Sequence, residues 1–297
     1  MVKISSRLND FLKRNQIKLT LIDIGARGEI QKIWKPLVSN LKIIGFEPDK
    51  EEFNKLVVEN PKKKYFNTAL SNKREKSKLF ITKDPSCSSL FKSHIENINV
   101  FESHNWESKR LVSTQNIQCD RLDELFDGEV DYIKIDTQGS ELKILMGAEK
   151  TLINYHPIVS CETWCTEVYK DAPKFNEVIN YMDKLGYEVF DIETAASWKY
   201  ISPNKVFSRK RKIGFEILFV KSHTNLDINH KKRILKHSLI LEYLGFRDYS
   251  IFLDSLFELN LNKYFLKNNN MFSEYIKARF NTILYFINKL NLFPSYR

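Results

Sequence analysis

A chain of 297 residues, 42% hydrophobic and 28% charged, has the composition of a globular protein large enough for one main domain plus an appendage. Nine glycines and eight prolines are too few for long low-complexity segments, and no run reaches the roughly 18 uncharged apolar residues of a membrane-spanning helix. The net charge of +10 is spread over single lysines and short clusters such as Lys62, Lys63 and Lys64, or Arg209, Lys210, Arg211 and Lys212, with no aromatic stacking platform beside them. The expectation is a solvated lysine-rich surface and no nucleic-acid partner, with a weak attraction to anionic lipid or polyanionic glycan as the next option.

In chain order, Ile4, Leu8, Phe11 and Leu12 recur at helical spacing and predict a short amphipathic helix within residues 1–17, interrupted by too many charges to be a secretory signal. The run from Leu19 to Ile24 is short, β-branched and closed by glycine, as a buried parallel strand should be. Residues 29–38 carry a helical stripe, and the run from Leu41 to Phe46 is a second strand. Asp49 followed by Glu52 predicts a capping box at the head of a polar helix. Residues 65–70 read as the third strand.

Residues 72–116 are less regular, with candidate strands at 78–82 and 112–119. Residues 130–135 form a clear buried strand, followed by a single helix with Leu142, Leu145, Met146 and Leu152 on its apolar side. A strand at 157–161, a helix at 175–185 and strands at 187–192 and 215–220, the last two separated by a basic loop, complete the pattern. Strands alternating with helices predict an α/β fold: a doubly wound, mostly parallel sheet with helices on both faces. Ligands of such sheets sit at the carboxyl ends of the strands. Beyond residue 222 helical stripes at 234–246, 253–257 and 276–290 predict a basic, aromatic-rich helical extension over 223–297. Packing on the main domain (residues 18–222) is its expected role, with a homodimer contact or a peripheral membrane contact as the other two.

The chemistry-bearing residues follow strands. Asp23, Gly25, Ala26 and Gly28 form a glycine turn between a strand and a helical segment, where free backbone N–H groups suit an anionic group. Glu47 lies just past the second strand, where an acid accepts hydrogen bonds from ribose hydroxyls. Asp136 ends a buried strand, Gly139 permits a turn, and Glu141 enters the next helix. The glycines fall short of the GxGxxG of a dinucleotide site, which disfavours a nicotinamide oxidoreductase. The four cysteines, Cys87, Cys119, Cys161 and Cys165, contain no CxxC pair and read as thiols in a reducing cytoplasm.

Taken together, Asp23-Ile-Gly-Ala26, Phe46-Glu-Pro48, Leu122-Asp-Glu-Leu125 and the run from Lys134 to Glu141 resemble the FkbM-type methyltransferases over roughly residues 20–220. Ser88, Ser89 and Leu90, and Glu162 after the fifth strand, also sit where that family has a Ser-Leu element and an acid. Arg27 departs from the pattern, which commonly has Asn there. The resemblance implies a seven-stranded Rossmann-like methyltransferase sheet and S-adenosylmethionine bound over Gly25, Ala26 and Gly28. Asp23 would face the donor's ammonium, Glu47 its ribose, and Ala69, Leu70 and Ser71 its adenine, with Asp136 between donor and acceptor.

It further implies O-methylation of a sugar, glycan precursor or other hydroxyl compound. Asp136 is the expected acceptor-site acid, with Glu141 and Glu162 as supporting catalytic candidates. His94 and His104 are alternative bases, and Trp164 either stacks on a sugar or packs. A divalent ion bridging Asp136 and Glu162 would suit hard oxygen ligands, but the sequence offers no third ligand, so no metal site is assigned. The competing reading is a non-catalytic adenosine-nucleotide-binding scaffold in glycan assembly. A cytoplasmic protein, with peripheral contact at the inner membrane surface as an option, is the expected setting.

Overall fold

The computed structural model describes residues 2–261 except 29 and 204–206. The predicted last helix at 276–290 lies outside the described residues. In chain order the elements are α1 (Val2–Arg14), β1 (Leu19–Ile24), a 3-10 helix (Lys32–Asn40), β2 (Leu41–Phe46), α2 (Lys50–Glu59), β3 (Lys64–Phe66), β4 (Ala69–Leu70) and β5 (Glu75–Thr82). Next come α3 (Ile95–Ile98), β6 (Leu111–Asp120), α4 (Leu122–Leu125), β7 (Tyr132–Ile135), α5 (Glu141–Gly147), α6 (Glu149–Tyr155), β8 (Ile158–Trp164) and α7 (Phe175–Lys184). A hairpin of β9 (Tyr187–Trp198) and β10 (Arg211–Lys221), then α8 (Lys231–Leu244) and α9 (Arg247–Phe257), complete them.

The main sheet has seven strands in the order β3-β2-β1-β7-β8-β10-β9. The first five are mutually parallel, and β10 runs antiparallel to both β8 and β9. Strand order reverses between β1 and β7, so the crevice at a switch point opens above the carboxyl ends of these two strands. The fold is therefore α/β and doubly wound, as the alternation of elements predicts.

Both faces are covered, and the strand alternation shows how. In β1, Leu19 and Leu21 enter one core with Leu8 and Leu12 of α1, Trp34 and Leu37 of the 3-10 helix, and Leu239, Ile240 and Leu253 of α8 and α9. Ile22 and Ile24 face the opposite core, with Ile144 and Leu145 of α5, Leu152 of α6 and Val178 and Met182 of α7. Burial of each such side chain contributes about 1.5–3 kcal/mol. The described part of the C-terminal extension thus packs on the same core as α1. Its anchor is polar as well as apolar: Lys236, 5% exposed, reaches Asp131 at 3.2 Å and Glu129 at 3.1 Å.

Several local expectations change. Residues 65–70 split between two sheets, because β3 pairs with β2 whereas β4 pairs with β6. The irregular region 72–116 contributes a separate three-stranded sheet, β4-β6-β5. The helix expected to run through 142–152 breaks in two at Ala148, and Met146 turns outward, 37% exposed. A Cβ on Gly147 would lie 2.0 Å from the Ser71 carbonyl oxygen, so only glycine lets α5 close onto β4. Asp49 does cap α2, accepting from the N–H groups of Glu51 and Glu52. The reciprocal half of the predicted capping box is absent, because the Glu52 carboxylate turns to Arg27 and to the N–H of Gly28.

Candidate active site

A solvent-open cleft lies at the carboxyl ends of β1, β2 and β7, the edge at which ligands of such sheets bind. Its floor is Gly25, Glu47 and Asp136, its walls Ala69, Leu70, Leu79 and Ile144, and its rim Pro85, Ser86, Ser88, Ser89 and Leu90. The small sheet and the start of the connection between its strands β5 and β6 form one side. Those residues follow no main-sheet strand, which is why periodicity alone leaves them without a place.

Gly25 has φ +76°, and a Cβ there would lie 2.0 Å from the Asp136 carbonyl oxygen. The turn needs glycine on both counts. The N–H groups of Gly25 and Ala26 both donate to the Phe46 carbonyl at 3.1 Å, locking the turn to the end of β2, and the Gly28 N–H goes to Glu52, so these three are not the free donors expected there for an anionic group. Arg27 adds a second lock, with its guanidinium 2.7 Å from Asp49 and 3.3 Å from Glu52. This is the physical use of the residue that departs from the family pattern.

Glu47 is 4% exposed yet lines the cleft. Burial raises its carboxyl to about 7, against the opposing pull of the Asp49 N–H at 2.9 Å and the Arg27 charge. Asp136 presents a side chain 37% exposed to the cleft. Lys134 stands beneath it, its ammonium 3.6 Å from Asp136, 3.3 Å from Asp23 and 3.0 Å from the Gly25 carbonyl. Burial would lower the Lys134 ammonium, but the Asp23 and Asp136 carboxylates outweigh it and raise it above the ordinary value. A lysine in the otherwise apolar strand Tyr132–Ile135 is the signal that could have found this role, since a buried charge needs partners.

Gln138 links the other acids. With φ 60° it turns back, and its Nε2 donates to Asp136 at 2.9 Å and Glu162 at 3.4 Å. Its Oε1 accepts from the Tyr169 hydroxyl at 2.9 Å, and its carbonyl from Ser89 Oγ at 2.8 Å. Burial, then repulsion from Asp136, Glu141 and Glu216, raises Glu162 to about 8. Glu141, 2% exposed, spends one oxygen on the turn itself, accepting from the Thr137 N–H at 3.1 Å, the Thr137 hydroxyl at 2.9 Å and the Gly139 N–H at 3.0 Å. Tyr169 and Lys134 are contributions that the sequence reading did not assign.

The other predicted residues are placed as follows. Gly25, Glu47, Ala69, Leu70 and Asp136 line the cleft; Asp23, Ala26, Gly28, Ser71, Glu141 and Glu162 do not. Asp23 is buried against Lys134, and Ser71 is 1% exposed at the β4–α5 contact. Gly28 donates its N–H to Glu52 at 2.9 Å. His94 pairs with Glu167 at 3.3 Å and His104 lies 3.9 Å from Glu102, both away from the cleft. Trp164, 5% exposed, packs among Tyr169 and Trp198. Among the described residues no cluster of three or more His, Cys, Asp or Glu converges as metal ligands, and no helix is long and apolar enough to cross a membrane.

A doubly wound sheet with a glycine turn, an acid after β2 and another after β7 around one cleft is the frame of a Rossmann-like α/β domain. The model of the methyltransferase FkbM domain matches residues 8–189, and the chain belongs to that family. No curated protein sequence matches it. Among solved structures it is similar to an FkbM methyltransferase from Methylobacillus flagellatus KT, at 14% identity and TM-score 0.37. That alignment covers 67% of this chain and 43% of the other, so this chain spans less than half of that protein's length. It is also similar to a precorrin-6y C5,15-methyltransferase from Geobacter metallireducens GS-15 (15% identity, TM-score 0.36, covering 74% of this chain and 86% of that one). A magnesium protoporphyrin IX methyltransferase from Synechocystis PCC 6803 with bound S-adenosylmethionine is similar at 7% identity and TM-score 0.35, over 74% of this chain and 79% of that one.

Proposed function

We propose that the protein is an S-adenosylmethionine-dependent O-methyltransferase whose acceptor is a hydroxyl of a sugar or glycan precursor. The observation that carries this reading is the placement of Glu47 and Asp136 on one cleft, on either side of the Gly25 turn. The cleft fits the cofactor in one further respect: Ser140, 1% exposed, lines it with a hydroxyl that has no hydrogen-bond partner among the described residues.

The Gly25 turn would hold the amino-acid end, Glu47 the ribose hydroxyls, and Ala69 and Leu70 the adenine. The bound donor supplies an already activated sulfonium methyl group, so alignment of the acceptor and exclusion of water account for much of the rate. Asp136 would accept the hydroxyl proton as the oxygen gains its methyl. Gln138 holds the Asp136 carboxylate by one oxygen and Lys134 faces the other, which fixes its direction. Glu162, whose carboxyl is pushed up by burial and by the neighbouring acids, would serve there as a neutral neighbour rather than a base. Glu141 positions the turn that carries Gln138.

Calorimetric titration with S-adenosylmethionine and, separately, with NAD tests the assignment. Binding of the first alone is the expected result, and no binding of the first overturns it. A non-catalytic scaffold would bind but release no S-adenosylhomocysteine when supplied with hydroxyl acceptors. Mass spectrometry of glycans from cells lacking the protein identifies the acceptor by the loss of a single methyl.

A further inference from the structure

The β9–β10 hairpin ends in a tip that the cleft does not use. Of the described residues from 199 to 212, Lys199, Arg209, Lys210, Arg211 and Lys212 are basic and none is acidic. Large apolar side chains stand among these charges with unusual exposure: Tyr200 51%, Ile201 61% and Phe207 98%. Val100, 47% exposed, joins them, because the Ile201 N–H donates to the Val100 carbonyl at 2.9 Å and the Glu102 N–H to the Lys199 carbonyl at 3.0 Å. Arg209, Lys210, Arg211 and Lys212 are all exposed and form no ion pair with a carboxylate among the described residues.

The base of this tip is packed on aromatic rings. Phe101 packs against Trp198 at 5.4 Å and Tyr200 at 4.5 Å between ring centroids, within a core that includes Trp164, Tyr169 and Ile213. Its direction is set by the sheet. Gly214 pairs with Trp164 at the carboxyl end of β8, and Arg211 pairs with Trp198 one step further out. The tip therefore projects from the same edge of the sheet on which Gly25, Glu47 and Asp136 open.

We infer that the β9–β10 tip docks the protein on the surface of an anionic phospholipid bilayer, with Phe207 and Ile201 entering the interface and the surrounding lysines and arginines against the headgroup phosphates. Aromatic and aliphatic side chains ringed by Lys and Arg are the chemistry of interfacial binding, in which apolar insertion and attraction to anionic lipid reinforce each other. Nucleic acid is the other large polyanion, and Tyr200 and Phe207 could stack on its bases, but the exposed aliphatic Ile201 and Val100 beside them gain only from an apolar interface. Resting on the proposed methyl transfer, this docking would bring the acceptor edge to the membrane and assigns the acceptor to a lipid-linked or membrane-anchored hydroxyl.

Co-sedimentation of the full chain with phosphatidylcholine vesicles, and with vesicles in which part of the lipid is replaced by phosphatidylserine, tests it. Binding at least tenfold stronger to the anionic vesicles is expected. Phe207→Ser should weaken that binding several-fold with no change of charge, and the triple variant Phe207→Ser, Arg209→Gln, Lys210→Gln by tenfold or more. S-adenosylmethionine titration of the same variants should be unchanged, which separates loss of docking from loss of fold. Absence of binding to anionic vesicles, binding undiminished in the triple variant, or tighter binding to an RNA oligonucleotide than to the vesicles would each overturn the inference. A chain that docks on vesicles but binds no S-adenosylmethionine would sink the proposed activity and leave the docking surface standing.

Discussion

Gln138 Nε2 donates to the Asp136 carboxylate at 2.9 Å from a backbone held in the left-handed region, so a residue two positions away in sequence aims the acid that faces the cleft. The Gln138 side chain is itself fixed by Tyr169, and its carbonyl by Ser89. The direction of Asp136 thus depends on elements as distant as the rim loop and the segment after β8. Asp136→Asn should lower kcat by about 10²–10⁴-fold while leaving S-adenosylmethionine affinity nearly unchanged, since a general base contributes on that scale. Gln138→Leu should lower kcat by roughly tenfold, the value of one hydrogen bond, with little change in donor affinity. Steady-state kinetics beside calorimetry separate the two effects, and full activity in Asp136→Asn would refute the assignment.

On the proposed function, Glu47 should give donor binding a pH dependence. Its carboxyl sits near 7, above the ordinary 4.5, so it is mostly neutral at pH 6 and ionised at pH 8. Ribose hydroxyls donate better to the ionised form. Affinity for S-adenosylmethionine should therefore rise as pH rises through 7 and level off above it, and Glu47→Gln should bind more weakly with a flat profile. For the free protein the sign is opposite: the stability linked to this raised pKa is full below about 4.5 and is lost as pH climbs through 7.

Gly25→Ala combines a positive φ with a Cβ only 2.0 Å from the Asp136 carbonyl oxygen. The left-handed conformation alone costs a non-glycine residue about 1–2 kcal/mol, and the clash adds to it. Loss of donor binding beyond detection by calorimetry, with a lowered melting temperature, is the expected outcome.

Lys236 and Asp131 form a buried pair between α8 and the start of β7, and Asp131 also accepts from the Thr20 N–H at 2.7 Å. Removing one partner strands the other charge. Lys236→Met should cost about 3–5 kcal/mol in urea unfolding, and adding Asp131→Asn should recover part of it. Additive losses in the double variant would show that the two residues are not coupled.

His156 and His237 are both lowered to about 4, first by burial and then by neighbouring positive charge. Unfolded histidines take up protons near 6.5, whereas these stay neutral until about pH 4. Stability should be level above pH 6.5 and fall as pH drops from there toward 4. His237→Gln should reduce the slope of the urea midpoint against pH over that window.

What the sequence determined by itself was the α/β frame and the edge of it on which Gly25, Glu47 and Asp136 stand. β1 and β2 are buried parallel strands because runs such as Leu19–Ile24 and Leu41–Phe46 fit a sheet interior covered on both faces. The same alternation of strands and helices puts the residues that end those strands at one edge. Gly25, Glu47 and Asp136 were legible for that reason. Only the tertiary structure decided which acids meet the cleft and which are consumed by the fold. Glu141 looks like an active-site acid in sequence, yet the turn takes its oxygen through the N–H groups of Thr137 and Gly139. The split of residues 65–70 between two sheets, the Lys134 contact with both Asp23 and Asp136, and the reach of Lys236 across 105 positions to Asp131 belong to the same category. Hydrophobic periodicity is a local property and reports which side of an element is buried. Pairing of polar groups is settled by which backbones the packed core brings within hydrogen-bond distance, and local pattern carries no record of that.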